Sequence, residues 1–282
     1  MMIEFLYEPF TYNFMLRSLV VAIAVGFMLP LLGAYVINRN LGFMGDALAH
    51  SAFPAMILGL VIGVNIFVAA IPGVIIMALL LGYIVNKSKI GEDTAIGILF
   101  SSLFALGFIL LSIYDTIPLN IEDVLFGQIL GVSNNDVLVT FVLLIIVVIT
   151  SLIFYKQFLF ISFDPIGARV SGLKVNLLDN VFLIVLSLAI IGALQSVGII
   201  LVLSMLITPA AAAKLIMKTF VGSMIAGSIF GIMASVIGLY LSYYLNFPSG
   251  PSMALTAVSI FAIVWILKQS FNYSLTNYII SK

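Results

Sequence analysis

The chain has 282 residues, 63% of them hydrophobic and 8% charged, against roughly 25% charged in an ordinary soluble domain. A single soluble core also stops growing near about 250–300 residues, so apolar runs that recur from end to end require a bilayer as solvent. The formal charge of +0 and the lack of a long basic run exclude the electrostatic footprint of a nucleic-acid binder, and the lack of cysteine excludes disulfides, thiolate metal sites and cysteine nucleophiles.

The N-terminal segment carries Glu4 and Glu8 and no basic residue before Arg17. It lacks the positive region and cleavage site of a signal peptide and reads as part of the mature protein, as a short interfacial helix. A spanning helix needs about 20 apolar residues, and candidates follow at 14–37, 41–63, 66–85, 94–114, 137–157, 177–196, 198–216, 220–245 and 252–268. That makes nine spans, with eight as the alternative. The uncertain places are 41–63, which opens on a polar patch, and 177–216, broken only by Gln195, Ser196 and Gly198. The predicted class is all-α, a polytopic transmembrane helical bundle of 8–9 spans forming a single transmembrane domain over 1–282. A closed barrel would need the period-two alternation that these runs lack.

Orientation follows from lysine and arginine, which concentrate on the cytoplasmic side. Lys87 and Lys89, then Lys156, Arg169 and Lys174, then Lys214 and Lys218, then Lys268 and Lys282 fall in alternate connections, and Arg39 agrees. The 115–136 loop has Asp115, Glu122, Asp123 and Asp136 without a basic residue, and NFPSGP at 246–251 is uncharged, so both belong outside. Nine spans then put the N-terminus outside and the C-terminus inside, with Arg17 a mild exception. There is no GxxxxGK[ST] phosphate loop, so transport driven by ATP requires a separate subunit.

Four segments can carry chemistry. In MGDALAHS, Asp46 and His50 are four apart, which puts their side chains on one helix face with β-carbons about 5–6 Å apart, a reach over which both can hold one divalent ion. An ionisable residue inside a span faces a cavity or a partner. The structural alternative makes Asp46 an N-cap and His50 a neutral ring bonded to a carbonyl. In SFDPIGARVSGL, Asp164 precedes Pro165 at a helix start and Gly172 can close the helix after Gly167, Ala168 and Arg169. That is a docking element or an ordinary connector. Thr208 and Pro209, followed by four alanines, place a helix break inside a span, for close packing or for lining a path. The outer segment LFGQILG at 125–131 suits an external partner.

Taken in order, MGDALAHS at 44–51, DTAIGILFSS at 93–102, VLFGQILGVS at 124–133, SFDPIGARVSGL at 162–173, VGIILVLSMLITPAAAA at 197–213 and PSGP at 248–251 resemble the permease subunits of bacterial ABC importers for manganese, zinc and iron, over nearly the whole chain. The resemblance implies the metal-type importer permease architecture in the bacterial cytoplasmic membrane and a permease dimer, here a homodimer. It implies two cytoplasmic ATPase subunits and an extracellular metal-binding protein as partners. It places Asp46 and His50 in the metal path, duplicated across the dimer axis, and identifies 164–172 as the coupling helix that docks in the ATPase.

ATP hydrolysis then belongs to the partner, with no permanently bound cofactor in this chain. The cargo is a divalent transition metal. Carboxylate and imidazole ligands suit Mn2+, Zn2+ or Fe2+ over copper(I), and the similarity leans to Mn2+. The competing reading is an ion-gradient-driven secondary transporter, which would be expected to carry more intramembrane ionisable residues and inverted repeats. An intramembrane enzyme is disfavoured because HExxH, GxSxG and paired-aspartate patterns are missing.

Overall fold

The structure, a computed structural model, describes residues 8–88, 90–114, 127 and 129–280. Among them are ten α-helices and two 3-10 turns: α1 (Asn13–Asn38), α2 (Met44–Val61), α3 (Ile66–Ser88), α4 (Glu92–Ile113), α5 (Asn134–Ile153), α6 (Tyr155–Phe163), α7 (Pro165–Val170), α8 (Val175–Ile216), α9 (Phe220–Leu245) and α10 (Ser249–Ile280). At the start of the described chain Glu8–Thr11 forms one 3-10 turn, while residues 1–7 of the expected interfacial helix lie outside the described residues. Among the described residues, eight helices are long and apolar enough to cross a membrane.

One of the eight crosses twice. A straight helix of the 42 residues in α8 would be roughly 60 Å long. Instead both of its ends meet the same end of α1. Asp179 near its start lies 3.0 Å from Arg39, and Lys214 near its end lines a cavity with Ile37 and Asn38. Its middle reaches the opposite end of the bundle, where Gln195 bonds Asp136 at the start of α5. The turn is at Gly198, with φ 79 and ψ 167, a region open almost only to glycine. A β-carbon on Gly127, from the neighbouring loop, would collide with the backbone of Val197 and Gly198, so this reversal is seated directly on that loop. The two predicted spans meeting at Gly198 are both present, and the passages number nine among the described residues.

Two boundaries move. The predicted 137–157 span ends at Ile153, with Phe154 as a shared junction and α6 as a separate helix. Twenty residues already measure about 30 Å, the thickness of the hydrocarbon core, so Lys156 and Gln157 fall beyond it. The polar opening of 41–63 is a turn: Asn40 takes φ 59 and the Met44 amide donates to the Leu41 carbonyl at 2.9 Å, so α2 begins at Met44.

In lipid, helices associate through van der Waals packing and small residues at crossings. Helices α1 and α8 form the centre, 72% buried over their most apolar windows, whereas α4 and α5 are 17% buried. Where α1 crosses α9, Gly26 faces Gly231, and a β-carbon at Gly26 would stand 2.6 Å from the Gly231 carbonyl oxygen. Tyr35 seals one end of the bundle, with ring centroids 5.8 Å from Phe158, 5.9 Å from Phe182 and 4.8 Å from Phe220. Arg39, Arg169, Lys214 and Lys218 gather at that same end, as the distribution of basic residues predicts for a cytoplasmic face.

Candidate functional site

Asp46 and His50 share one face of α2. The Asp46 Oδ1 lies 3.3 Å from the His50 Nε2, with 39% of the Asp46 and 18% of the His50 side chain exposed. The capping position of α2 belongs to Phe43, which makes no side-chain cap, so the N-cap reading of Asp46 does not hold. Its carboxylate faces the imidazole one turn on. Ligand atoms about 2.1 Å from one ion are about 3.0 Å apart when adjacent in an octahedron and about 3.4 Å apart in a tetrahedron. The observed spacing therefore accepts a divalent ion with little side-chain movement.

The flanks of the pair are built by neighbouring helices. The His50 ring stands edge-on to Phe100 at 5.3 Å and to Phe104 at 4.9 Å, both on α4. One turn further, Phe53 packs on Phe104 and Phe108. This aromatic wall excludes water from one side of the imidazole, leaving Asp46 as the open member. On the other side Gly45 admits α8: a β-carbon there would stand 2.6 Å from Leu206 Cδ2. Pro54, inside α2, has no N–H to offer the carbonyl four residues back, so the His50 main-chain oxygen lacks its intrahelical donor. Two side chains do not complete a coordination shell, and the described residues contain no group of three or more His, Asp or Glu that could hold a metal ion.

The 164–172 segment forms as its caps predict. Asp164 Oδ1 accepts from the Gly167 amide at 2.8 Å, Pro165 opens the helix, and Ala168 is fully buried. Gly172 takes φ +89, and the Leu173 amide donates back to the Ala168 carbonyl at 3.1 Å. Arg169 is exposed at the helix end. Sequence reasoning missed Ile166 and Val170, which are 75% and 84% exposed. Their signal was present, since residues four apart share a helix face, here the one opposite Ala168. Two large apolar side chains exposed on a short capped helix form a knob suited to a partner's pocket.

Pro209 is buried and Thr208 half-buried. Ala210 beside them packs against Gly227 of α9 and near Gly33 of α1, so the small residues serve close helix approach. Of the expected outer docking segment, residues 115–126 and Gln128 lie outside the described residues.

A second ionisable cluster, at the ends of three helices, was missed by sequence reasoning. Arg39 Nη1 lies 3.0 Å from Asp179 Oδ1, and Arg39 Nη2 lies 3.9 Å from Glu92 Oε1. The guanidinium also stands over the Phe182 ring at 5.7 Å. A cavity of about 260 Å³ beside this cluster is lined by Arg39, Glu92, Asp179, Pro165 and Arg169, among others. Asp179 was legible as an ionisable residue inside a predicted span; its partners, distant in sequence, were not.

An all-helical bundle that crosses the membrane repeatedly, with an ionisable pair between its helices and a capped helix exposed at its cytoplasmic end, defines a transport permease. The chain belongs to the ABC 3 transport family, whose model matches residues 11–268, and is an integral protein of the bacterial cytoplasmic membrane. It is 40% identical over 265 residues to the manganese transport system membrane protein MntC of Listeria monocytogenes, covering 93% of this chain and 94% of that one. It is 33% identical over 266 residues to the chelated iron transport system membrane protein YfeD of Yersinia pestis, covering 94% and 89%. Among solved structures it is similar to PsaBC from Streptococcus pneumoniae in complex with Fab, with a TM-score of 0.82 and 37% identity over 94% of this chain and 95% of that one.

Proposed function

We propose that this chain is the permease subunit of an ABC importer that carries Mn2+ into the cell, with Asp46 and His50 as the side chains that meet the ion in its path. The observation that carries the reading is the 3.3 Å separation of a carboxylate and an imidazole, walled by aromatic rings, in a chain 40% identical to a manganese transport membrane protein. Carboxylate and imidazole donors suit Mn2+, and affinity for a given nitrogen and oxygen site would favour zinc, so selectivity rests partly on what reaches the outer face. Iron is the second reading, favoured by the similarity to the chelated iron transport protein.

Transport needs binding strong enough to strip part of the hydration shell and weak enough to release the ion. One pair per chain meets that condition if two chains assemble as a homodimer, because two carboxylates then neutralise one divalent cation. The segment Asp164 to Gly172 acts as the coupling helix, presenting Ile166 and Val170 to a cytoplasmic ATPase, one on each permease. An extracellular metal-binding protein delivers the ion to the opposite face.

The test is reconstitution of the permease with its ATPase in proteoliposomes and measurement of ATP-dependent uptake of Mn2+, Fe2+ and Zn2+. Asp46→Ala and His50→Ala are expected to fold, to keep the ATPase bound and to lose uptake. Folded variants that transport at the original rate would remove the pair from the mechanism, and uptake of iron alone would replace manganese as cargo.

A further inference from the structure

The Arg39 cluster joins α4 to α1 and α8, two helices that α4 otherwise meets little. Helix α4 packs on α2 and α3 rather than broadly on α8. Yet Arg39, at the end of α1, holds Asp179 of α8 at 3.0 Å and Glu92, the first residue of α4, at 3.9 Å. Each of these positions leads somewhere. Asp179 stands in the second turn of α8, and only residues 171–174 separate α8 from α7. That connection is tight, because the Leu173 amide bonds the Ala168 carbonyl and the Val175 amide bonds the Leu173 carbonyl at 2.9 Å. Glu92 begins the helix whose Phe100 and Phe104 wall the His50 ring. Asn38 ties the end of α1 to α6 through the Ser162 carbonyl at 3.4 Å.

We infer that Arg39 is a positioning residue for transport, the bridge that carries displacement of α7 through Asp179 to Glu92 and so to the aromatic wall of the Asp46 and His50 pair. The inference rests on reading α7 as the docking helix. Three features fit the task. The guanidinium fork engages two carboxylates at once, which lysine's single ammonium does less well. The Arg39 and Asp179 side chains are 15% and 22% exposed, so losing either strands the other's charge rather than releasing it to water, while Glu92, 41% exposed, is the solvated member that is free to move. The adjoining cavity of about 260 Å³ leaves room for α7 and the first turns of α8 to shift without compressing packed side chains.

The experiment reads Mn2+ imported per ATP hydrolysed by the permease reconstituted with its ATPase. Arg39→Gln and Asp179→Asn are expected to keep ATPase binding and hydrolysis while the ratio falls about tenfold, the scale of ordinary coupling between sites. Arg39→Lys is expected to fall between these and the parent, and the reversed pair R39D with D179R to recover part of the loss. An unchanged ratio in folded Arg39→Gln, or in Arg39→Lys should the first not fold, overturns the inference. Ile166→Ala with Val170→Ala tests the underlying reading separately: ATPase that still binds this variant at full affinity refutes docking at α7, whatever Arg39 does. Because the chain has no cysteine, introduced cysteines at Ile98 and at Lys174, exposed just beyond α7 and outside the docking knob, can be spin-labelled specifically. Their distance is expected to change on ATP binding in the parent and to stay fixed in Arg39→Gln; an identical change in both overturns the inference.

Discussion

The Gln195 side-chain amide donates to Asp136 Oδ1 at 2.6 Å, tying α8 to α5 three residues before α8 reverses. The other oxygen of the same carboxylate accepts from the Ser133 amide at 2.9 Å and the Ser133 hydroxyl at 2.7 Å, closing a capping box on α5. One carboxylate thus holds a helix start and a helix turn together at the outer end of the bundle. Asp136→Ala weakens the first and removes the second. The Ser133 hydroxyl still accepts from the main-chain amide at position 136, so the capping box loses only its reciprocal bonds, and each hydrogen bond to the charged carboxylate contributes about 1.5–3 kcal/mol. The purified variant should unfold several degrees below the parent when heating is followed by size exclusion, with Gln195→Ala losing only the bond between α8 and α5.

Gly198→Ala tests the reversal itself. At φ 79 and ψ 167 a β-carbon is forced into a region that costs about 1–3 kcal/mol. Because Gly127 lies against this backbone, relaxation would also displace the loop. Thermal stability and uptake are both expected to drop. Gly63→Ala, at a φ of 73 but with open space around it, supplies the control for strain without a packed neighbour.

Gly45 lets Leu206 approach α2 beside Asp46. Gly45→Ala puts a β-carbon 2.6 Å from Leu206 Cδ2, an overpacking worth about 1–3 kcal/mol. Uptake should suffer more than stability, because the strain falls next to the ion's path. In a Leu206→Ala background the penalty of Gly45→Ala should shrink, and a double-mutant cycle measures that coupling. Strictly additive effects would place Leu206 elsewhere.

Asp164→Ala removes the bond from the Gly167 amide and with it about 1 kcal/mol from a six-residue helix. The bundle should melt at the parent's temperature, since α7 lies outside it. ATPase affinity in a pull-down with purified subunits should weaken several-fold, and Asp164→Asn, which still accepts a hydrogen bond, should retain most of it.

How far the sequence could be read depended on the range of the interaction. Asp46 and His50 are one turn apart, so helical periodicity alone placed them face to face, and the capped helix after Asp164 followed from local chemistry. The aromatic wall was not legible, because Phe100 and Phe104 lie some fifty residues from His50 in the chain and nothing in α4 specifies which helix its rings will meet. The same holds for Arg39, whose two carboxylates lie at positions 92 and 179.

The sequence by itself determined the solvent and the bundle of eight or nine spans, since hydropathy acts through each segment's own transfer into lipid. It also determined local devices such as the cap at Asp164, whereas the helix break expected at Pro209 does not form: α8 runs on through Pro209, and the non-helical position within it is Gly198. Only the tertiary structure decided that α8 folds back against α1, that Phe100 and Phe104 wall the His50 ring, and that Arg39 bridges α1, α4 and α8. Those outcomes depend on which small residues let which helices approach. In a bilayer, where apolar helices gain little by merely leaving the solvent, that choice is made by shape across the whole bundle.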